Sequence, residues 1–83
     1  METGLTKTLQ ALSDPTRRKI LEMLVERSLA AGEISAAFDI SAPSVSHHLN
    51  VLKNADLIQS ERHGQQIVYS LNATVVQDLL QSL

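Results

Sequence analysis

The chain has 83 residues, enough for one hydrophobic core, so a single domain over 1–83 is expected. It has no cysteine, which excludes disulfides, thiolate metal sites and cysteine nucleophiles. No apolar run approaches the ~20 residues that cross a bilayer and no signal-peptide pattern opens the chain, so a cytoplasmic protein without membrane association is expected. The formal net charge of −2 leaves a weak footprint for a polyanion. Residues 1–40 carry five basic and six acidic side chains, and residues 73–83 carry only Asp78. Residues 41–72 balance Lys53 and Arg62 against Asp56 and Glu61, and hold all three histidines.

From Thr3 to Leu12 the spacing of Leu5, Leu9 and Leu12 predicts a helix with a narrow leucine stripe, serving either the core or a subunit contact. Ser13-Asp14-Pro15 stops that helix and starts the next. Pro15 disfavours helix at Asp14, and Asp14 can cap a helix whose first residue is Pro15. The second helix is predicted to about Arg27, with Ile20, Leu21, Leu24 and Val25 apolar. Arg17-Arg18-Lys19 lies in its first two turns. Cations near a helix N-terminus are mildly unfavourable, which points to an anionic neighbour; the alternative is a solvated face balanced by Glu22 and Glu26. A short third helix is predicted over Ala30–Phe38, with Ile34, Ala37 and Phe38 inward.

Asp39-Ile40-Ser41 then leads tightly into Ser41–Leu57, predicted as an amphipathic helix. Ser41 can cap it, and Pro43 fits its first turn. Val45, Leu49 and Leu52 share the apolar stripe; Pro43, Ser46, His47, Asn50 and Asn54 lie opposite. That outer face carries short donors and acceptors instead of the usual Lys/Glu mixture. Two short helices joined by a tight turn, the second with such a face, form a helix-turn-helix pattern over 30–57.

Beyond Leu57 the period changes to two. Ile67, Tyr69 and Leu71 alternate with Val68 and Ser70, Leu57–Arg62 supplies a partner strand, and His63-Gly64 makes the turn. The fold class is therefore mainly α with a small β-hairpin: a winged helix-turn-helix of five helices and a two-stranded antiparallel wing over 58–71. Arg62, His63, Gln65 and Gln66 at the wing tip suit phosphate or minor-groove contact, against the alternative of an ordinary solvated turn. Tyr69 is expected to anchor the wing on the core. Asn72 can cap a last helix bearing Val75, Val76, Leu79, Leu80 and Leu83, more aliphatic surface than one face of a small domain needs. Pairing of 73–83 with the first helix, 1–12, builds a two-fold homodimer economically, through Leu5, Leu9, Leu12, Val76, Leu79, Leu80 and Leu83.

The segments LSDPTRRKILEML, AGEIS, SAPSVSHHLNVLKNADLI and the second wing strand ending in VYSLN closely resemble the ArsR-type winged-helix transcriptional repressors, from about Leu9 to Asn72. The resemblance implies a homodimer that binds a palindromic operator on double-stranded DNA and commonly represses its own operon. It implies a recognition helix at 42–56 in the major groove and the wing on flanking DNA. On that basis Ser44, Ser46, His47 and Asn50 are expected to read bases, asparagine being well matched to adenine. Lys53, Arg17 and Arg18 are expected on phosphates, with Arg62, His63 and Gln65 from the wing. His48 turns toward the leucine stripe and is expected to be a hydrogen-bonded, partly buried structural residue.

The sequence departs from the family pattern at three places. Residues 28–43 lack cysteine and 73–83 offer only Asp78, so the family's common metal sites are absent and the chain resembles its metal-independent, self-regulating branch. His47 and His48 do not form a metal pair, since adjacent helical residues point about 100° apart. Ala30 stands where relatives often have a Thr or Ser cap, so a less firm helix start is expected. Asp56 stands where glycine is frequent, and aspartate tolerates the left-handed conformation better than most residues.

The expected function is a homodimeric, sequence-specific transcriptional repressor, with a sequestering protein as one route to its release. The alternatives are a winged-helix protein-interaction module, or a repressor that responds to an unrecognised ligand or metal. No cofactor is expected. An enzyme has no support, because no glycine-rich phosphate loop and no acid–base–nucleophile set comes together.

Overall fold

The computed structural model describes residues 4–81. Along the chain run α1 (Gly4–Leu12), α2 (Pro15–Glu26), β1 (Leu29–Ala30), α3 (Ala31–Ala36), α4 (Ala42–Asn54), β2 (Ile58–His63), β3 (Gln66–Leu71) and α5 (Ala73–Gln81). This is the winged helix-turn-helix that the sequence predicts, and its boundaries have local causes. The Asp14 carboxylate accepts the Arg17 N–H at 3.1 Å, with Pro15 in the first turn of α2. Ser41 Oγ accepts the Ser44 N–H at 3.2 Å and caps α4. At the other end of α4, the Leu57 N–H reaches the Leu52 carbonyl at 3.1 Å and the Asp56 N–H reaches that of Lys53 at 3.0 Å. These bonds form a Schellman motif. It requires a left-handed residue, and Asp56, at φ 59°, is the one non-glycine residue with positive φ among those described. Leu52 and Leu57, the apolar pair that accompanies the motif, are both buried.

The core joins Ala11 of α1, Ile20 and Leu24 of α2, Ile34 of α3 and the Val45–Leu49–Leu52 stripe of α4, with Leu57 and Ile58 closing it below the wing. Each fully buried aliphatic side chain contributes about 1.5–3 kcal/mol of transfer free energy. In α1, however, the buried residues are Thr8 and Ala11, while Leu5 and Leu9 are each 59% exposed. Leu12 packs against the core, as do Val75 and Val76 of α5; Leu80 is 65% exposed. Leu83 lies outside the described residues, as does the side chain of Leu79.

The sheet is antiparallel in the order β1-β3-β2. The wing pairs Ile58 with Leu71 at its base and His63 with Gln66 at its tip, so Gly64-Gln65, rather than His63-Gly64, is the turn. Gly64, at φ 65°, supplies the positive φ that the first position of a type II′ turn requires. Tyr69 and Leu71 pack against the core, so Tyr69 does anchor the wing. Beyond the two-stranded wing of the sequence reading, β1 adds a third strand, pairing Leu29 with Tyr69 and Ala30 with Val68. A two-residue strand is too short to show a period.

This ladder also changes the reading of α3. The helix is shorter than Ala30–Phe38, because Ala30 belongs to the sheet. Ala37 is exposed rather than inward, and Phe38 packs against the core only in part. The start of α3 is held despite the missing cap: the Ala30 N–H donates to Glu33 Oε1 at 2.9 Å, and Arg27 Nη2 holds the same carboxylate at 3.0 Å. Those donors, the Ala30 amide first and Arg27 second, keep the Glu33 carboxyl below its usual range. Val25 of α2 is also exposed, where the apolar pattern had grouped it with Ile20 and Leu24.

Candidate nucleic-acid interface

Burying Val45, Leu49 and Leu52 turns the opposite face of α4 outward, and Ser44, Ser46, His47, Asn50, Lys53 and Asn54 are all exposed there. The Ser44 hydroxyl is 2.8 Å from that of Ser41, so the cap engages it. The side chains of Ser46, His47 and Asn50 make no hydrogen bond to other described residues, and their donors and acceptors are available to a ligand. Lys53 is the one cation of this helix, and among the described residues it has no ionic partner. The wing tip also projects Arg62, His63 and Gln65 into solvent. Its electrostatics are mixed, because Glu61 Oε1 lies 3.7 Å from His63 Nε2 with both side chains mostly exposed.

The basic triplet is placed differently from its sequence reading. Arg17 is half-buried: Nε donates to the Ala11 carbonyl at 2.7 Å and Nη2 to that of Gln10 at 3.0 Å. Its Nη1 lies 3.1 Å from His48 Nδ1 on α4. Arg18 remains exposed, but its Nη1 donates to the Leu12 carbonyl at 2.7 Å. The anionic neighbour of these cations is thus, first of all, the negative end of α1, whose last carbonyls have no intrahelical donors. Lys19 pairs with Glu22 at 3.8 Å.

Asp14 completes the junction, with Oδ2 3.8 Å from His48 Nδ1. Its carboxyl is held below the usual aspartate range, chiefly by the Arg17 N–H that it caps; partial desolvation opposes this, and the charge of Arg17 reinforces it. His48 is half-buried and hydrogen-bonded, as its position beside the leucine stripe predicts. Sequence reasoning missed the junction itself. Asp14 and Arg17 stand three apart in one string, but the contact of Arg17 with His48 spans 31 positions, and the junction joins three helices.

Two open grooves mark the surface. One, about 370 Å³, lies between α1 and the end of α4 and is lined by Lys7, Gln10, Val51, Asn54 and Ala55. The other, about 510 Å³, separates the start of α3 from the wing tip. Among the described residues no three His, Cys, Asp or Glu side chains converge as a metal site, and no helix is long and apolar enough to cross a membrane.

Residues 14–60, from the cap of α2 to the first wing strand, match the family described as bacterial regulatory protein, arsR family. The chain belongs to the ArsR family. Over 74 residues it is 54% identical to the transcriptional repressor SdpR of Bacillus subtilis, covering 89% of this chain and 82% of that one. A crystal structure of an ArsR family transcriptional regulator superposes with a TM-score of 0.84 at 28% identity, over 96% of this chain and 91% of the other. The solution structure of a homodimeric winged helix-turn-helix DNA-binding domain from Mycobacterium bovis, described as a possible ArsR-family regulator, superposes with a TM-score of 0.83 at 25% identity, over 92% and 70%. Members of this family are regulatory proteins rather than enzymes. In this ArsR-family chain α3 and α4 are the helix-turn-helix, and β2 and β3 the wing.

Proposed function

We propose that this chain is a homodimeric, sequence-specific DNA-binding transcriptional repressor that acts on a palindromic operator of its own operon. The observation that carries the reading is the exposed, nearly uncharged face of α4, where the side chains of Ser46, His47 and Asn50 have no hydrogen-bond partner among the described residues, beside an exposed wing tip. Hydroxyl, imidazole and amide groups can discriminate base edges in a major groove that admits one helix. Likeness to a repressor and to a homodimeric DNA-binding domain supports the same reading. Leu5, Leu9 and Leu80 are the exposed apolar side chains suited to the subunit contact. The half-sites are then about one helical turn apart.

Footprinting the DNA upstream of its own gene tests the proposal. His47→Ala is expected to lower operator affinity by about 1–3 kcal/mol while nonspecific affinity and the fold stay unchanged. An unaltered ratio of specific to nonspecific affinity removes His47 from readout. A second reading, a protein-interaction module, is favoured by the net charge of −2 and by the engagement of Arg17 and Arg18 with α1. Absence of any DNA complex at low salt selects it over the first.

A further inference from the structure

The junction of α1, α2 and α4 fixes a proton. Arg17 is anchored through Nε and Nη2 on the Ala11 and Gln10 carbonyls, which leaves Nη1 to meet His48 Nδ1 at 3.1 Å. Guanidinium nitrogens donate and never accept, so Nδ1 must present its lone pair. The single ring proton of neutral His48 is then on Nε2. Asp14 does not compete for Nδ1: at 3.8 Å it is beyond hydrogen-bond reach, and it already accepts the Arg17 amide. His48 Nε2 has no hydrogen-bond partner among the described residues, yet no side-chain nitrogen or oxygen there is both buried and unpartnered. Nε2 therefore reaches solvent, on a ring that is otherwise largely covered.

We propose that His48 donates from Nε2 to a phosphate oxygen at the rim of the groove that α4 enters, and that Arg17 is its positioning residue rather than a phosphate contact. This rests on the DNA-binding reading above. It divides the adjacent histidines into a base-facing His47 and a backbone-facing His48. It also links the orientation of the reading helix to the end of α1 through one planar group. A neutral donor to phosphate strengthens binding to any sequence and releases no counterion.

The free protein tests the geometry without DNA. Nitrogen-15 spectra of the imidazoles, taken above the histidine titration range, are expected to show His48 with Nδ1 bare and Nε2 protonated; the opposite tautomer overturns the proposal. Two variants test the contact. In His48→Asn the amide oxygen can replace Nδ1 as acceptor for Arg17, but the outer donor is lost; in His48→Gln the amide reaches the position of Nε2. His48→Asn is expected to weaken binding by about tenfold, equally on a random-sequence duplex and on the duplex upstream of the gene. Its thermal unfolding and salt slope are expected to be unchanged, and His48→Gln to restore most of the affinity. Parent-like binding by His48→Asn overturns the contact, as does a salt slope shallower by about 1.8, which belongs to one cation on phosphate in each protomer of the dimer. Arg17→Gln with a slope shallower by the same amount returns Arg17 to the phosphates. If the parent itself binds neither duplex at low salt, the DNA-binding reading fails and the contact with it, an outcome distinct from a parent-like His48→Asn.

Discussion

Helices α1 and α4 both carry aliphatic residues at helical spacing, yet they use them in opposite ways. In α4 the stripe of Val45, Leu49 and Leu52 is buried, and the polar face looks out. In α1 the small side chains of Thr8 and Ala11 turn inward, and Leu5 and Leu9 stand in solvent. The difference is geometric. Ala11, completely buried, sits where α1 meets the other helices, and a small residue there lets helix backbones approach closely. Thr8 is tolerated because its hydroxyl donates to the Gly4 carbonyl at 2.9 Å. A stripe thus marks a surface to be covered without saying whether the same chain covers it.

Substitutions in the two stripes should separate these uses most widely. Leu52→Ala is expected to cost about 2–5 kcal/mol by leaving a cavity among fully buried neighbours, measured by urea unfolding. Leu9→Ser is expected to change protomer stability by less than about 0.5 kcal/mol, but to shift sedimentation from dimer toward monomer. Equal losses of protomer stability would erase the contrast.

The outer faces differ as well. Lys53→Ala on α4 is expected to make the salt dependence of dimer affinity for DNA shallower by about 1.8, or about 0.9 for each of two protomers, whereas Lys7→Ala on α1 should leave it unchanged. Equal slopes for the two variants would remove Lys53 from the phosphate contacts.

Where the helices meet, Asp14 adds a pH signature. Its folded carboxyl titrates below the ordinary range, first because it caps the Arg17 amide. A depressed carboxyl contributes stability that is present above its unfolded value and is lost as pH falls through the folded one. The stability gap between parent and Asp14→Asn is therefore expected to be largest near neutrality and to close in acid. A gap that widens on acidification would contradict the assignment. The smallest effect is expected at the end of α4, where Asp56→Gly relieves the left-handed residue and gains about 0.5 kcal/mol, read from the thermal midpoint.

Much of this molecule is legible in its residues. Asp14-Pro15 and Ser41 cap α2 and α4, the period of Val45, Leu49 and Leu52 orients the reading helix, and Asp56 takes the left-handed turn, because all of these are local effects of one or two turns of backbone. The exposed set on α4 follows from the same period. Strand β1 was not legible, since Leu29-Ala30 becomes a strand only by pairing with Tyr69 and Val68 far along the chain. Nor was the exposure of Val25 or Ala37, which depends on which neighbours arrive.

By itself the sequence determined the fold class, the starts of α2 and α4 and the polar, nearly uncharged face of α4, because backbone preference and side-chain period act within a few residues. Only the tertiary structure decided that Leu5 and Leu9 are left uncovered and that Arg17 holds the end of α1 against His48. Those outcomes depend on which surfaces meet across helices, and on where a donor-only guanidinium finds carbonyls that lack a partner.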